Sequence, residues 1–142
     1  DETNTRMMTN IRNSFNRLAS ALVEEGKKDS AIAVIDRCNE LLPNSIVPYE
    51  YFALELANSY IQAGANDKGL EMVETAYGQF NDELNYYFSL QPKFMAGIGE
   101  EIQRKLFYLQ QLQRTAANAG NGELSEQIGG SLQSYFERFS NM

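Results

Sequence analysis

"GKKDSAIAVIDRCNELL", Gly26 to Leu42, returns thirty-eight residues later as "GANDKGLEMVETAYGQF", Gly64 to Phe80. Each stretch opens on a glycine, carries an aspartate three residues on, and then sets apolar side chains at steps of three and four, the spacing of one helix face. A similar pattern precedes each glycine: Ile11, Phe15, Leu18, Ala19, Leu22 and Val23 before Gly26, and Phe52, Ala53, Leu56, Ala57 and Tyr60 before Gly64. With the two glycines superposed, Leu18 falls on Leu56, Ala19 on Ala57, Leu22 on Tyr60, Ala31 on Gly69, Ile35 on Val73 and Cys38 on Ala76. Small residues recur where helices must approach closely, and large ones where a gap must be filled. The chain therefore reads as a repeated helical hairpin, and its fold class as all-α.

In the first hairpin a helix is expected over Asn10 to Glu25, ending at Gly26, which tolerates the positive φ of a helix terminus. Asp29 is expected to N-cap the next helix, with Ala31, Ile32, Ile35, Cys38, Leu41 and Leu42 inside and Pro43 as its stop. The second hairpin starts near Pro48, turns at Gly64, and has Asp67 in the place of Asp29. Beyond it, "NDELNYYFSLQP" predicts a short helix capped by Asn81 or Asp82 and stopped before Pro92. A long helix from about Lys93 to Asn118, a break at "AGNGE" and a last helix from Glu123 to Phe139 follow. Gly129 and Gly130 inside that last helix each cost roughly 1 kcal/mol relative to Ala, which implies close packing against the long helix. The expectation is one domain over 1–142, with repeats at 12–45 and 46–81 and a short helix plus a degenerate capping hairpin over 82–142. That is about six to seven helices.

Twelve basic against nineteen acidic side chains give a net charge of −7, with no local basic cluster. This disfavours nucleic acid, whose binding rests on Lys and Arg neutralising phosphates. The sequence has no histidine, so the commonest general base and zinc ligand are both missing. No phosphate loop, dinucleotide fingerprint, serine elbow or metal-spaced cluster occurs, and no cofactor is implied. The single cysteine, Cys38, cannot form an internal disulfide and sits among apolar helix positions, where it reads as core. Glu24–Glu25, Asp82–Glu83 and Glu100–Glu101 are neighbours that point in different directions on a helix and read as solvated charge. The aromatic run Tyr77, Phe80, Tyr86, Tyr87 and Phe88 reads as core rather than as a platform for sugars. No stretch approaches the roughly 18 apolar residues that cross a bilayer. The opening "DETNTRMM" lacks a first-position Met and is read as a processed chain or a fragment of a larger protein.

The residues resemble the tetratricopeptide repeat, a helix–turn–helix unit of 34 residues. The first unit carries the resemblance at Phe15, Leu18, Ala19, Leu22, Gly26, Ala31, Ile35, Cys38 and Pro43. The second carries it at Leu56, Ala57, Tyr60, Gly64, Gly69, Val73 and Ala76, with Asn81 where the proline belongs. The thirty-eight-residue spacing leaves about four extra residues around "NSIVPY" and predicts an irregular join there. The segment "TRMMTNIRNSFNRLASALVEEGKKDSAIAVIDRCNELLPNSIVPYEYFALELANSYIQAG", with "YYFSLQP" and the helix after it, also resembles the soluble C-terminal region of a family of large bacterial membrane proteins of unassigned function. The multispanning part of that family is similar to protein O-mannosyltransferases. The resemblance implies a domain tethered to the inner membrane on its extracytoplasmic, periplasmic side, reaching the membrane only through an N-terminal part. Any glycosyltransferase-like chemistry would reside in that part, and no catalytic residue carries over to this chain.

In tetratricopeptide stacks the first helices of successive hairpins line a concave face. The positions turned that way are Asn13, Asn16, Arg17, Ser20 and Glu24 on one helix and Tyr51, Glu55, Asn58 and Gln62 on the next. Amide side chains donate and accept at once and suit the backbone of an extended peptide or sugar hydroxyls. The family resemblance likewise implies peptide binding there. Arg17 is the one clear candidate to hold a terminal carboxylate. The alternative is a merely solvated polar face. The function so expected is a non-catalytic protein- or peptide-binding scaffold. The alternative function is an accessory domain that docks on its own membrane portion or presents acceptor to it. Oligomeric state stays open, with end-to-end pairing through the final helix as one route.

Overall fold

The structure, a computed structural model, describes residues 1–90, 93 and 97–142. Among them lie six helices and no strand: α1 (Glu2–Glu24), α2 (Lys28–Leu41), α3 (Tyr51–Gln62), α4 (Asn66–Ser89), α5 (Gly99–Asn118) and α6 (Gly122–Ser140). The all-α expectation holds, in an arrangement consistent with helical repeats. The contacts divide the chain into two compact units, Asp1–Met72 and Val73–Met142, and α4 supplies residues to both.

Three glycines make the hairpins. Gly26, Gly64 and Gly120 have φ of 76°, 91° and 79°, a region closed to most side chains by the Cβ. In each turn the glycine N–H donates three residues back, to Val23, Ile61 or Ala117. The next N–H donates five back, to Leu22, Tyr60 or Ala116. This paired bonding closes a helix with its last carbonyls satisfied. It leads straight into the following helix, so Lys27 rather than Asp29 occupies the cap position of α2, with no side-chain cap bond. Asp29 and Asp67 stand instead in the first turns of α2 and α4, where negative charge complements the helix dipole.

In the first unit α1 packs on both α2 and α3, and α2 also meets α3. Ala19, Ala31, Ile35, Cys38, Leu54, Leu56, Ala57, Tyr60 and Met72 form its core. The inner side of α1 differs from the expected stripe. Arg12, Asn16 and Ala19 are its buried residues, whereas Ile11 and Leu18 are 42% and 50% exposed. Leu41, expected inside α2, is also exposed.

Arg12 explains the rotation. Its guanidinium is fully buried and donates to the carbonyls of Leu42 (2.6 Å), Val47 (2.8 Å) and Pro48 (3.3 Å) and to Glu50 Oε2 (2.7 Å). These groups belong to the long join between α2 and α3, which has neither helix nor sheet to satisfy its backbone. Val47 and Tyr49 are buried from the same segment, and Arg12 lies 5.3 Å from the Tyr49 ring centroid. Asn44 Oδ1 accepts from the Tyr49 N–H at 2.8 Å. Glu50 holds Arg12 with one oxygen and caps α3 with the other, accepting from the Ala53 N–H at 3.3 Å. Burial pushes the Glu50 carboxyl above its usual range, against the pull of Arg12. Desolvation thus consumes much of the attraction, and the pair fixes position more than it adds stability.

A second tie joins α2 to α3 and α4. The Tyr60 hydroxyl donates to Asp36 Oδ1 at 2.5 Å, and Lys68 Nζ pairs with Asp36 Oδ2 at 2.8 Å. Burial alone would raise the Asp36 carboxyl, but the hydrogen bonds from Lys68 and Tyr60 win and lower it. At Gly69 an added Cβ would sit 2.6 Å from Ile61 Cγ1 and 2.9 Å from the Ala57 carbonyl oxygen, so α3 and α4 touch backbone to backbone there.

In the second unit the expected break near Asn81 is absent, because α4 runs on to Ser89. Asn81 is an interior residue whose side chain accepts from the Tyr135 hydroxyl on α6. With no proline at 81, nothing interrupts the backbone ladder. The expected stop at Pro92 lies outside the described residues. The long helix begins at Gly99 rather than near Lys93, and α6 closes a third hairpin with Asn121 as its cap. Phe80, Leu84, Ile102, Leu109, Leu112, Ile128 and Leu132 fill this core. Gly129 packs closely as expected, its missing Cβ 2.6 Å from Gln113 Nε2. Gly130 faces open space, and nothing in the structure explains it.

Arg12→Ala strands three carbonyls and a carboxylate and should lower the unfolding free energy by about 3–5 kcal/mol in denaturant titrations, while Arg12→Lys, lacking the planar fork, falls between. Gly69→Ala should destabilise by about 1–3 kcal/mol through overpacking, whereas Gly130→Ala should stabilise by up to roughly 1 kcal/mol. Asp36 binds its proton less readily in the folded chain than in the unfolded one. Its contribution is therefore complete above the unfolded value of about 4 and fades as pH falls through the lower folded value. The stability gap between the parent and Asp36→Asn should accordingly shrink on acidification.

Candidate functional site

The thirty-eight-residue register pairs Asn13 with Tyr51, Arg17 with Glu55, Ser20 with Asn58 and Glu24 with Gln62. Within each helix these residues step by four, three and four, so each set forms one stripe. α1 packs against α3, and a hydrogen bond from Asn16 Nδ2 to Glu55 Oε1 at 3.2 Å ties the two helices at this level. The join held by Arg12 and Glu50 enters α3 one turn before Glu55 and fixes where its stripe begins.

The nine expected residues divide by role. Arg17, Ser20, Glu24 and Gln62 are exposed, Asn13 and Asn58 are half-buried, and Tyr51 is 37% exposed with its ring edge-on to Phe52. Asn16 is only 6% exposed and spends its amide on Glu55. It supports the face from beneath and does not offer a ligand its side chain. Among the described residues Asn13, Arg17, Ser20, Asn58 and Gln62 make no side-chain hydrogen bond or ion pair, so their donors and acceptors stay open to a ligand. The resulting surface has one cation, two carboxylates and several amides, a composition suited to a polar chain with alternating donors and acceptors.

Cys38 is fully buried, and burial pushes its thiol above the ordinary range, away from the reactive thiolate. Among the described residues no cluster of His, Cys, Asp or Glu is placed to hold a metal ion. Of the adjacent acids, Glu25 and Glu101 form exposed ion pairs with Lys27 and Arg104, whereas Glu83 departs from the solvated reading by pairing at 2.9 Å with Lys105, which is only 13% exposed. The aromatic run divides in the same way. Phe80 is fully buried, Tyr77 bonds Ser131, and Phe88 stacks on Tyr135 at 5.8 Å beneath Arg138. Tyr86 alone of the run stands well out, at 62% exposure.

One feature of the second unit was not foreseen. α5 and α6 enclose an open groove of about 600 Å³, walled by Gln110, Gln113, Gln133, Leu132, Phe136 and Glu137. Gln103, Phe107 and Phe139 line its continuation. The signal lay in the glutamines crowded onto α5 at 103, 110, 111 and 113, between the leucines and isoleucine that drew attention as core. No family model, curated protein or solved structure matches the chain.

Proposed function

We propose that this chain is a non-catalytic binding domain of tetratricopeptide type, which takes an extended polypeptide along the α1–α3 face. The observation that carries the reading is the alignment of two equivalent polar stripes on adjacent helices, held in register by the Asn16–Glu55 bond and open at Arg17, Asn58 and Gln62. Amides at this spacing can pair with successive peptide groups, and Arg17 adds a charge-assisted bond to a carboxylate. The resemblance to bacterial membrane proteins adds the setting: an extracytoplasmic domain of a larger chain that captures a protein near the membrane.

Photocrosslinking from position 58 in the native cell envelope tests the proposal. The expected result is an adduct with a second polypeptide that is lost when Arg17 and Gln62 are both changed to Ala, with the helical circular dichroism unchanged. An adduct confined to the protein's own membrane portion would replace this reading with the accessory-domain one. A folded, probe-bearing protein that forms no adduct would leave the face as solvated surface and contradict both.

A further inference from the structure

α5 and α6 fold back on each other at Gly120, and Gln113 on one lies against Gly129 on the other. Outward from that rung the hairpin sets Gln110 level with Gln133 and then Phe107 level with Phe136, all of them lining the groove, which continues to Gln103. Gln103 to Gln113 spans about 15 Å of helix. The rings of Phe107 and Phe136 are 45% and 42% exposed. Among the described residues Gln103, Gln110, Gln113 and Gln133 make no side-chain hydrogen bond. Glu137 is the one ionised group in the lining, and Arg114 stands in the neighbouring hollow.

Gly129 marks the groove as built. Glycine inside a helix is less stable than alanine, because it loses more backbone freedom on folding. Here a Cβ would stand 2.6 Å from Gln113 Nε2, so α6 goes without a side chain where that amide lies. Gln113 takes the space and makes no hydrogen bond in return. A seat kept at a cost for an unpaired amide serves a ligand rather than the fold.

We propose that this groove binds a neutral, extended oligosaccharide, one ring packed on the Phe107–Phe136 rung and its neighbours held by the glutamine amides. The walls select the class. One acid in the lining and one base beside it favour neither an anion nor a cation. An amide presents a donor and an acceptor side by side, which matches two adjacent hydroxyls, and the electron-rich face of a phenyl ring matches the C–H face of a pyranose. Spacing separates sugar from peptide. Positions 103, 107, 110 and 113 advance about 5 Å per step. A 1,4-linked pyranose chain advances by a similar length per ring. An extended peptide returns to the same side only every ~6.7 Å and falls out of step along the groove. The groove lies within the second unit, so the proposal stands independently of what the α1–α3 face binds.

Nuclear magnetic resonance of the ¹⁵N-labelled chain tests this, because each glutamine side-chain amide gives its own signals. The probes are the β-1,4-linked tetramers of glucose, mannose and N-acetylglucosamine, each titrated to about 10 mM, beside an alanine–serine hexapeptide as the competing chemistry. The amides of Gln110, Gln113 and Gln133 should shift with at least one of the sugars, and the hexapeptide should leave them unmoved. Phe136→Ala should weaken that binding roughly tenfold with the helical circular dichroism unchanged, and Gln133→Ala, at an exposed position, should weaken it in the same direction. Gly129→Ala should also weaken it, by displacing the Gln113 amide, without lowering the melting temperature. No shift with any of the three sugars overturns the proposal, as do shifts that persist at full strength in Phe136→Ala and Gln133→Ala. Shifts produced by the hexapeptide and not by the sugars replace it with a peptide groove.

Discussion

The first unit depends on a guanidinium with no access to water. Arg12 reaches from α1 into the join between α2 and α3 and gathers three carbonyls and one carboxylate, none of which has a regular ladder to satisfy it. A buried cation without such partners would be far too costly to keep, and so would carbonyls in a buried loop without donors. Each side of the arrangement therefore requires the other. Glu50 extends the coupling, because the carboxylate that neutralises Arg12 also caps α3. The place where α3 starts, and hence the level at which its polar stripe meets that of α1, follows from that one side chain.

Around this clamp the packing obeys a simpler rule. Where two helices come closest the residue is small, as at Ala19, Ala31, Ala57 and Gly69, and where they diverge it is large, as at Ile35, Leu56 and Tyr60. The rule repeats every thirty-eight residues and gives each hairpin two apolar sides. In the second hairpin the side of α3 that faces α1 and α2 is covered, whereas in the first the equivalent side of α1 stays exposed at Met7, Ile11 and Leu18.

The sequence carries the hairpins plainly and the departures from them poorly. Gly26, Gly64 and the "AGNGE" break were legible because positive φ leaves few alternatives to glycine. The inner faces of α3 and, apart from Leu41, of α2 were legible because apolar periodicity and burial coincide there. On α1 they do not coincide. Ile11 and Leu18 have the period of a core stripe yet lie outside, while Arg12 and Asn16, polar by type, lie inside. Periodicity reports that a face is apolar, not which neighbour covers it. Burial of Arg12 depends on a loop thirty to thirty-eight residues away, a relation no local pattern encodes. The run of α4 through Asn81 was missed for a related reason. Asparagine resembles a cap in isolation, and the Tyr135 hydroxyl that its side chain accepts from comes from another helix, where no local pattern reveals it. Of the candidate face, the stripes were readable as positions, but the withdrawal of Asn16 into the α1–α3 contact was not.

The central claim is that one buried arginine organises the α2–α3 join and, through it, the face above. Amide hydrogen exchange on Arg12→Met compared with the parent chain, under conditions where both retain their helical signal, tests it most directly. The account predicts that protection falls selectively over residues 46–54, in the join and the first turn of α3, while the amides in the middle of α2 keep theirs. Unchanged protection over 46–54 would contradict it and would mean that the loop holds its shape without Arg12.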